Sequence, residues 1–409
     1  MDICVVGAGI VGLSSAWFLH RAGHRITVVE QASGPGMGAV AGNGAQLSYS
    51  YVQPLADPSL LAGIPKLLLD RSGPLRFTPQ WSPQQWRWCM EFLAACRTSV
   101  SRQTTVELLA LAAESRHALE AFMQEQHLDC DFTRTGKLVL YPDAESLDKA
   151  QRQLRFQAGL GSHQQSISAG EAVAIEPALA GYRSAFHGAI HTDNECVVDG
   201  LKLCREMARI MADEGVRFLF GHKVEGFQRQ GQRIDALNLR HARDGVQVLH
   251  CEAVVLAAGA HSTGLLAQLG SHLPVYPLKG YSITLPITEH SRAPLVSITD
   301  IRRKTVFARI GERLRVAGMV ELCGMDASIP AARIEQLRAS TEALFGTGWN
   351  TADCQPWSGW RPATPTGRPV LECPAGGNLY LNTGHGALGM TLAFGSARRL
   401  VRLVEHTTG

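Results

Sequence analysis

The stretch ICVVGAGIVGLSSAWFLHRAGHRITVVEQ, residues 3 to 31, restricts the fold more than any other part of the chain. An apolar run leads into a turn with glycines at 7, 9 and 12, then a helix-compatible stretch ended by Gly23, then a second apolar run closing at Glu30. That order is the strand, turn, helix and strand of a dinucleotide-binding unit. Gly7 permits the tight turn, Gly9 lets backbone N–H groups approach a pyrophosphate, and Gly12 lets the helix pack on the sheet. Ala8, Ile10 and Val11 complete the turn, and a helix over 12–22 aims its positive end at the phosphates. Glu30, with Gln31 beside it, stands where a carboxylate accepts hydrogen bonds from a ribose diol. The same charge repels a 2′-phosphate, so NADP is disfavoured. FAD and NAD both remain open on this spacing.

A second glycine pattern comes after a short strand near the C-terminus, in NLYLNTGHGALGMTLAFGSARRLVRLVEH, with Gly384, Gly386 and Gly389. Only 20 residues lie beyond Gly389, so a second complete dinucleotide unit is not expected, nor is direct reduction of NAD. What this box can present is a helix N-terminus, beginning near Met390 and including Leu388 and Thr391, to an electron-rich group such as the N1–C2=O edge of a reduced flavin. Between the two patterns, CEAVVLAAGAHS (251–262) reads as a buried strand with a small-residue exit at Ala258 and Gly259. Val224 in the preceding hairpin is placed to offer backbone to an adenine. Asp199 is the expected N-cap of a helix that Gly215 ends.

WSGWRPATPTGRPV (357–370) sets Arg361 next to one tryptophan and near another, and three prolines stiffen the chain beyond it. A planar guanidinium held still in this way suits bidentate recognition of a carboxylate.

At 409 residues the chain exceeds one comfortable core, and two domains sharing an interface are expected. The 39 Lys and Arg nearly balance the 36 Asp and Glu, with no basic run interleaved with aromatics, so no nucleic-acid partner is expected. The ten cysteines form no CxxC pair and no ligand spacing with histidine, which points to reduced cytoplasmic thiols and no metal. No signal peptide is expected ahead of the strand at Ile3, and no apolar run is long enough to span a membrane. No Ser/His/Asp or Cys/His nucleophilic arrangement stands out.

In order, GAGIVG, Glu30, GNGAQLS (42–48), VVLAAGAHS, YPLKGYSITLPI, WSGWRPATPTGRPV and LNTGHGALGM resemble the FAD-dependent D-amino acid dehydrogenase family, within the wider group of D-amino acid, glycine and sarcosine oxidases. The likeness covers nearly the whole chain. It implies an α/β fold of D-amino acid oxidase type: a Rossmann-like FAD-binding domain with an antiparallel-sheet substrate domain. It implies FAD held by Gly7, Gly9, Gly12 and Glu30. The loop with Gly42, Asn43, Gln46 and Leu47 would lie beside the flavin, and Gly384 to Met390 under it. Arg361 would grip the substrate carboxylate, with Tyr281, Tyr51 and His385 as further catalytic candidates. Thr366 stands where the family usually has aspartate and Met390 where tryptophan is common.

The expected FAD-binding domain takes residues 1–50, 195–265 and 355–409. The substrate domain takes 51–194 and 266–354, including a helical segment over 52–130. The expected activity is oxidative deamination of a small amino acid of D configuration, by hydride transfer from Cα to flavin N5. Alternatives are a D-proline, D-hydroxyproline, glycine or sarcosine enzyme of the same fold, and a non-catalytic flavin-binding subunit. The segment 60–93, with clustered tryptophans and Lys66, Arg71, Arg76 and Arg87, suits either an anionic membrane interface or a lid over the substrate. The resemblance favours the former, on the inner face of a bacterial membrane, with electrons passing to a quinone.

Overall fold

The structure is a computed structural model, and it describes residues 1–52, 54–58, 61, 73–374 and 377–408. Two large sheets organise it. The first has six strands in the order Arg217–Phe220, Arg25–Glu30, Asp2–Val6, Ala253–Leu256, Leu379–Thr383 and Val370–Glu372, all parallel except the last. Its central strands are apolar on both faces because both faces are covered. Ile3 and Val5 pack with the helices Ile10–Arg21, Gly200–Asp213, Thr98–Glu125 and Gly389–Thr408. Cys4 and Val6 turn the other way, toward a three-stranded antiparallel sheet formed by His222–Gln230, Arg233–His241 and Gly245–His250. Asp199 caps the helix Gly200–Asp213 by accepting from Leu201 N and Lys202 N, and Gly215 leaves that helix with a φ of 93°.

The second sheet has nine strands. Eight run in the order Gln355–Ala363, Tyr276–Pro286, Arg313–Leu322, Thr305–Ile310, Ser297–Asp300, Lys137–Tyr141, Gly188–Thr192 and Gln165–Ser168, and Leu75–Phe77 pairs with Arg313–Leu322. The expected antiparallel pairing holds except at two places: Ser297–Asp300 runs parallel to Lys137–Tyr141, and Leu75–Phe77 parallel to Arg313–Leu322. One face buries a core with the helix Ala331–Phe345 and the turn Pro177–Ala185.

The expected domain segments do not map cleanly onto these sheets. Gln355–Ala363 pairs with Tyr276–Pro286 at the edge of the nine-stranded sheet, whereas Val370–Glu372 and Leu379–Thr383 join the six-stranded one. The helix Thr98–Glu125, expected in the substrate domain, buries Leu108, Leu111, Leu119 and Phe122 in the core of the six-stranded sheet. It docks on the C-terminal helix at Gly395, where a β-carbon would stand 2.6 Å from Leu111 O. Sequence neighbourhood groups this helix with its flanking segments, and the packing of its apolar stripe decides otherwise.

Candidate active site

The two sheets share one cavity of about 1340 Å³, larger than the few hundred to about 1,000 Å³ of a drug-sized ligand site. The turn after the first strand forms one end. Gly7 has a φ of 109°, and a β-carbon there would lie 2.6 Å from Ala257 O. A β-carbon on Gly12 would collide with Gly7 O, whereas one on Gly9 meets nothing within 4 Å. Two glycines therefore close the turn, and the third leaves its backbone open to the cavity. Ile10, Val11 and Gln31 line the same end. Glu30 lines it too, its carboxylate accepting from Ala8 N and Ala32 N at 2.8 Å each. Val224, Ala258 and Gly259 complete this end.

Gly42, Asn43 and Gln46 also line the cavity. Trp357 packs on Gly42 so closely that a β-carbon would strike its indole. Arg315, on the nine-stranded sheet, reaches the same loop and donates to Asn43 O at 2.9 Å and Ala41 O at 3.3 Å. Burial brings the Arg315 guanidinium down to about 10, since the loop offers it carbonyl dipoles and no paired carboxylate.

The C-terminal box supplies another wall. A short turn over Gly386–Leu388 leads directly into the helix Gly389–Thr408, and Gly386, Leu388, Gly389, Met390 and Thr391 line the cavity. His385 is 2% exposed. Its Nε2 lies 2.9 Å from Ser396 Oγ, which itself donates to Ala393 O, so the network assigns the proton to Nε2 and leaves Nδ1 an acceptor. Burial lowers this imidazole to about 3, and it is neutral at ordinary pH. Among the described residues Nδ1 has no partner, and neither does Oδ1 of Asn382, whose Nδ2 donates to Ser15 Oγ. Both residues line the cavity. Two buried acceptors without donors fit a bound group carrying N–H or O–H.

Arg361 lies on the edge strand, half-buried, and donates from Nη1 to Met319 O at 2.9 Å. No carboxylate pairs with it among the described residues, and desolvation brings it down to about 10. Gly280 makes room for it: a β-carbon there would collide with the guanidinium. Met319 has a φ of 62°, unusual for a side chain of its size, at a register shift opposite Gly280. Strain of this kind collects where a strand is bent to aim a group.

Of the other expected residues, Tyr281 borders the cavity, but its side chain packs in the core with the helix Ala331–Phe345, where its hydroxyl donates to buried Glu321 at 2.8 Å. That commitment leaves the hydroxyl no free proton for chemistry. Tyr51 also lines the cavity. Ala8, Gly12, Leu47 and Gly384 sit behind the wall and shape it from outside. His222, His241 and Asp244 come within ligand distance of one another, but the imidazoles stack at 16° between planes, so their in-plane lone pairs do not converge on one ion.

The family model for FAD dependent oxidoreductases matches residues 2–403. The chain belongs to that family. Among similar FAD-dependent oxidoreductases is a protein named D-amino acid dehydrogenase 2 from Ralstonia nicotianae, 45% identical and covering 99% of this chain and 97% of that protein. Another, of the same name from Pseudomonas aeruginosa, is 42% identical over 98% of this chain and 94% of its own length. Glycine oxidase from Geobacillus kaustophilus aligns with a TM-score of 0.76 at 22% identity, over 99% of this chain and 94% of that one. L-proline dehydrogenase from P. horikoshii aligns at 0.75 and 16%, over 99% and 93%. These last two establish a shared fold.

FAD is the cofactor of this FAD-dependent oxidoreductase, and the open turn at Gly9 and the orphaned acceptors of Asn382 and His385 fit it. Sequence reasoning missed Lys137, Arg315, Met319 and Asn382 as cavity or loop-holding residues. The first three sit in or beside ordinary-looking strands, and their roles come from which strand lies next to which. Asn382 alone carried a signal, as the residue opening the NTGHG box.

Proposed function

We propose that this protein oxidises a small D-amino acid to the imino acid, which water converts to the 2-oxo acid and ammonia. One observation carries the reading. Arg361, a desolvated guanidinium held by a carbonyl and by no carboxylate among the described residues, faces the cavity onto which the Gly9 turn opens. Its planar fork suits an α-carboxylate, which it would grip by two parallel hydrogen bonds. The D configuration rests on the names of the relatives, D-amino acid dehydrogenases at 42–45% identity. FAD, when bound, accepts the Cα hydride and gains one negative charge on reduction.

The protein's part is to hold the substrate and exclude water. The only carboxylates among the described lining residues are Glu30 and Glu225, in the strands of the pyrophosphate end. His385 is neutral and donates to Ser396. The reading therefore assigns no general base, and the amine enters neutral. On this reading the nucleotide-binding unit takes 1–50, 195–265 and 364–408 with the helix Thr98–Glu125, and the remainder forms the substrate unit.

Electrons would pass to a quinone or another acceptor at the membrane's inner face. The helix Pro83–Ala95 supports this: Trp86, Met90 and Leu93 are exposed along one side, beside exposed Trp81, Arg76 and Arg87. Trp88 turns inward and donates to Ala363 O. Lys66 and Arg71 of the same stretch lie outside the described residues, and no helix among the described residues is long and apolar enough to cross a membrane.

Anaerobic titration of the purified holoprotein with D- and L-amino acids, glycine, sarcosine and D-proline tests the reading. Bleaching of the flavin by a D-amino acid and not its enantiomer is expected. Stronger bleaching by a cyclic or N-methylated amine would move the substrate class, and no bleaching by any would mark a flavin-binding subunit. Rapid stoichiometric peroxide without added dye would make it an oxidase, and failure to sediment with anionic liposomes would remove the membrane contact.

A further inference from the structure

Lys137 is 2% exposed at the start of an interior strand of the nine-stranded sheet, and it lines the cavity. Its backbone is fixed from both sides, opposite Ser297 on one neighbour and Thr192 on the other. The ammonium donates to Gln46 Oε1 at 2.9 Å and Ser48 Oγ at 2.7 Å, and lies 4.6 Å from the centre of the Tyr51 ring. All three partners come from the single stretch 46–51.

These contacts fix that stretch in one arrangement. With its oxygen taken by Lys137, Gln46 must turn its amide nitrogen to Ile298 O, 3.2 Å away. Ser48 accepts from Lys137 through its hydroxyl while its backbone N–H donates to Thr391 Oγ1 in the first turn of the C-terminal helix. One side chain thus joins two walls of the cavity.

The charge itself has no counterion at ion-pair distance among the described residues. Glu195 is the carboxylate whose field reaches it, but the Glu195 oxygens accept from Tyr49 N and Ser50 N at 2.7 and 2.8 Å. Tyr51 faces the ammonium as a ring, and Lys223, Lys304 and Arg361 line the same cavity as further cations. Asp300 and His191, on the neighbouring strands, occupy positions of the opposite parity and belong to the other face of the sheet. Burial accordingly brings Lys137 down to about 8. A buried cation solvated only by dipoles is costly in the empty protein and gains a partner when negative charge develops nearby.

We propose that Lys137 is a titratable positioning residue for the bound flavin: it holds Gln46 and Ser48 in place and supplies the positive charge that favours the reduced, negatively charged form. This rests on FAD occupying the cavity but not on which amine is oxidised, and it is read without any amine substrate.

The direction of the effect is set by the protonation state. Below about pH 8 the ammonium is charged and favours reduction, and as pH rises above that value the contribution is lost. The test is the midpoint potential of the flavin in purified holoprotein, measured by dye equilibration from pH 6 to 10 in the wild type, Lys137→Met and Lys137→Arg. Lys137→Met is expected to weaken the preference for reduced flavin about tenfold at pH 6.5, about 30 mV for a two-electron couple, with the difference vanishing above about pH 9. Lys137→Arg is expected to stay within threefold of wild type at pH 6.5 and to lose the inflection near pH 8, because arginine does not titrate there. A wild-type potential profile in Lys137→Met overturns the proposal. If Lys137→Met retains no FAD, the arginine variant decides: an inflection that persists near pH 8 overturns it, and its loss supports it.

Discussion

The guanidinium of Arg361 occupies the space where a side chain on Gly280 would begin. The two residues sit diagonally on adjacent strands, Arg361 opposite Leu278 and Gly280 opposite Gly359, and the missing methyl is what lets the arginine lie over the sheet and reach Met319 O. Gly280→Ala is therefore expected to displace Arg361 without touching the pyrophosphate end. FAD content should stay at wild type while KM for the amine rises at least about tenfold, since a misplaced carboxylate clamp loses about 1.4 kcal/mol or more. An alanine variant with unchanged KM would show that Arg361 has room to relax.

Arg361→Lys keeps the charge and removes the fork. Loss of one charge-assisted pair in a desolvated site costs about 2 to 4 kcal/mol, or roughly 30- to 1,000-fold in kcat/KM. Steady-state kinetics with flavin absorbance recorded in parallel measures it, and near-wild-type turnover would return Arg361 to a structural role.

Gly9 is the one glycine of the first turn with free space in front of it. Gly9→Val should fill that space and bar the pyrophosphate, so the protein should purify colourless with its circular dichroism intact. Gly12→Val, by contrast, should fail to fold, because its side chain would collide with Gly7 O inside the turn. The pair separates a ligand-facing glycine from a packing one.

His385 is held near 3 by burial, well below the value of an exposed imidazole. The unfolded chain binds a proton at this residue below about pH 6.5 and the folded chain does not, so stability is fully present above that pH and falls as pH drops toward the folded value. Between pH 7 and 5 this one group should remove about 2 kcal/mol. Urea denaturation of wild type and His385→Gln at the two pH values checks it. The glutamine variant should lose less on acidification, and equal losses would mean that other groups govern the acid limb.

The parts legible from sequence are those whose geometry is local. The turn at Gly7 to Gly12, the cap at Asp199 and the helix entering after Gly389 each depend on residues a few positions apart, and each appears as expected, whereas Arg361 is confined by Gly280 and Met319, far from it along the chain. Lys137 meets Gln46 across 91 positions of chain, and Arg315 meets Asn43 across 272. No periodicity announces such contacts, because they exist only once strand order is set. The helix Thr98–Glu125 escapes a sequence-based grouping for a related reason: its partner is Gly395, at the far end of the chain. Tyr281 reads as a pocket residue from its setting in KGYS, yet its hydroxyl belongs to Glu321.

The strand Leu379–Thr383 lies inside the six-stranded sheet, between Ala253–Leu256 and Val370–Glu372. During synthesis the strand Ala253–Leu256 must therefore wait, its apolar edge unpaired, while more than a hundred further residues leave the ribosome. Cofactor loading cannot precede that closure, because the wall at Gly386 to Thr391 comes after the same strand. Nascent chains halted before residue 379 should be captured by chaperones and cleaved by proteases, whatever the supply of flavin.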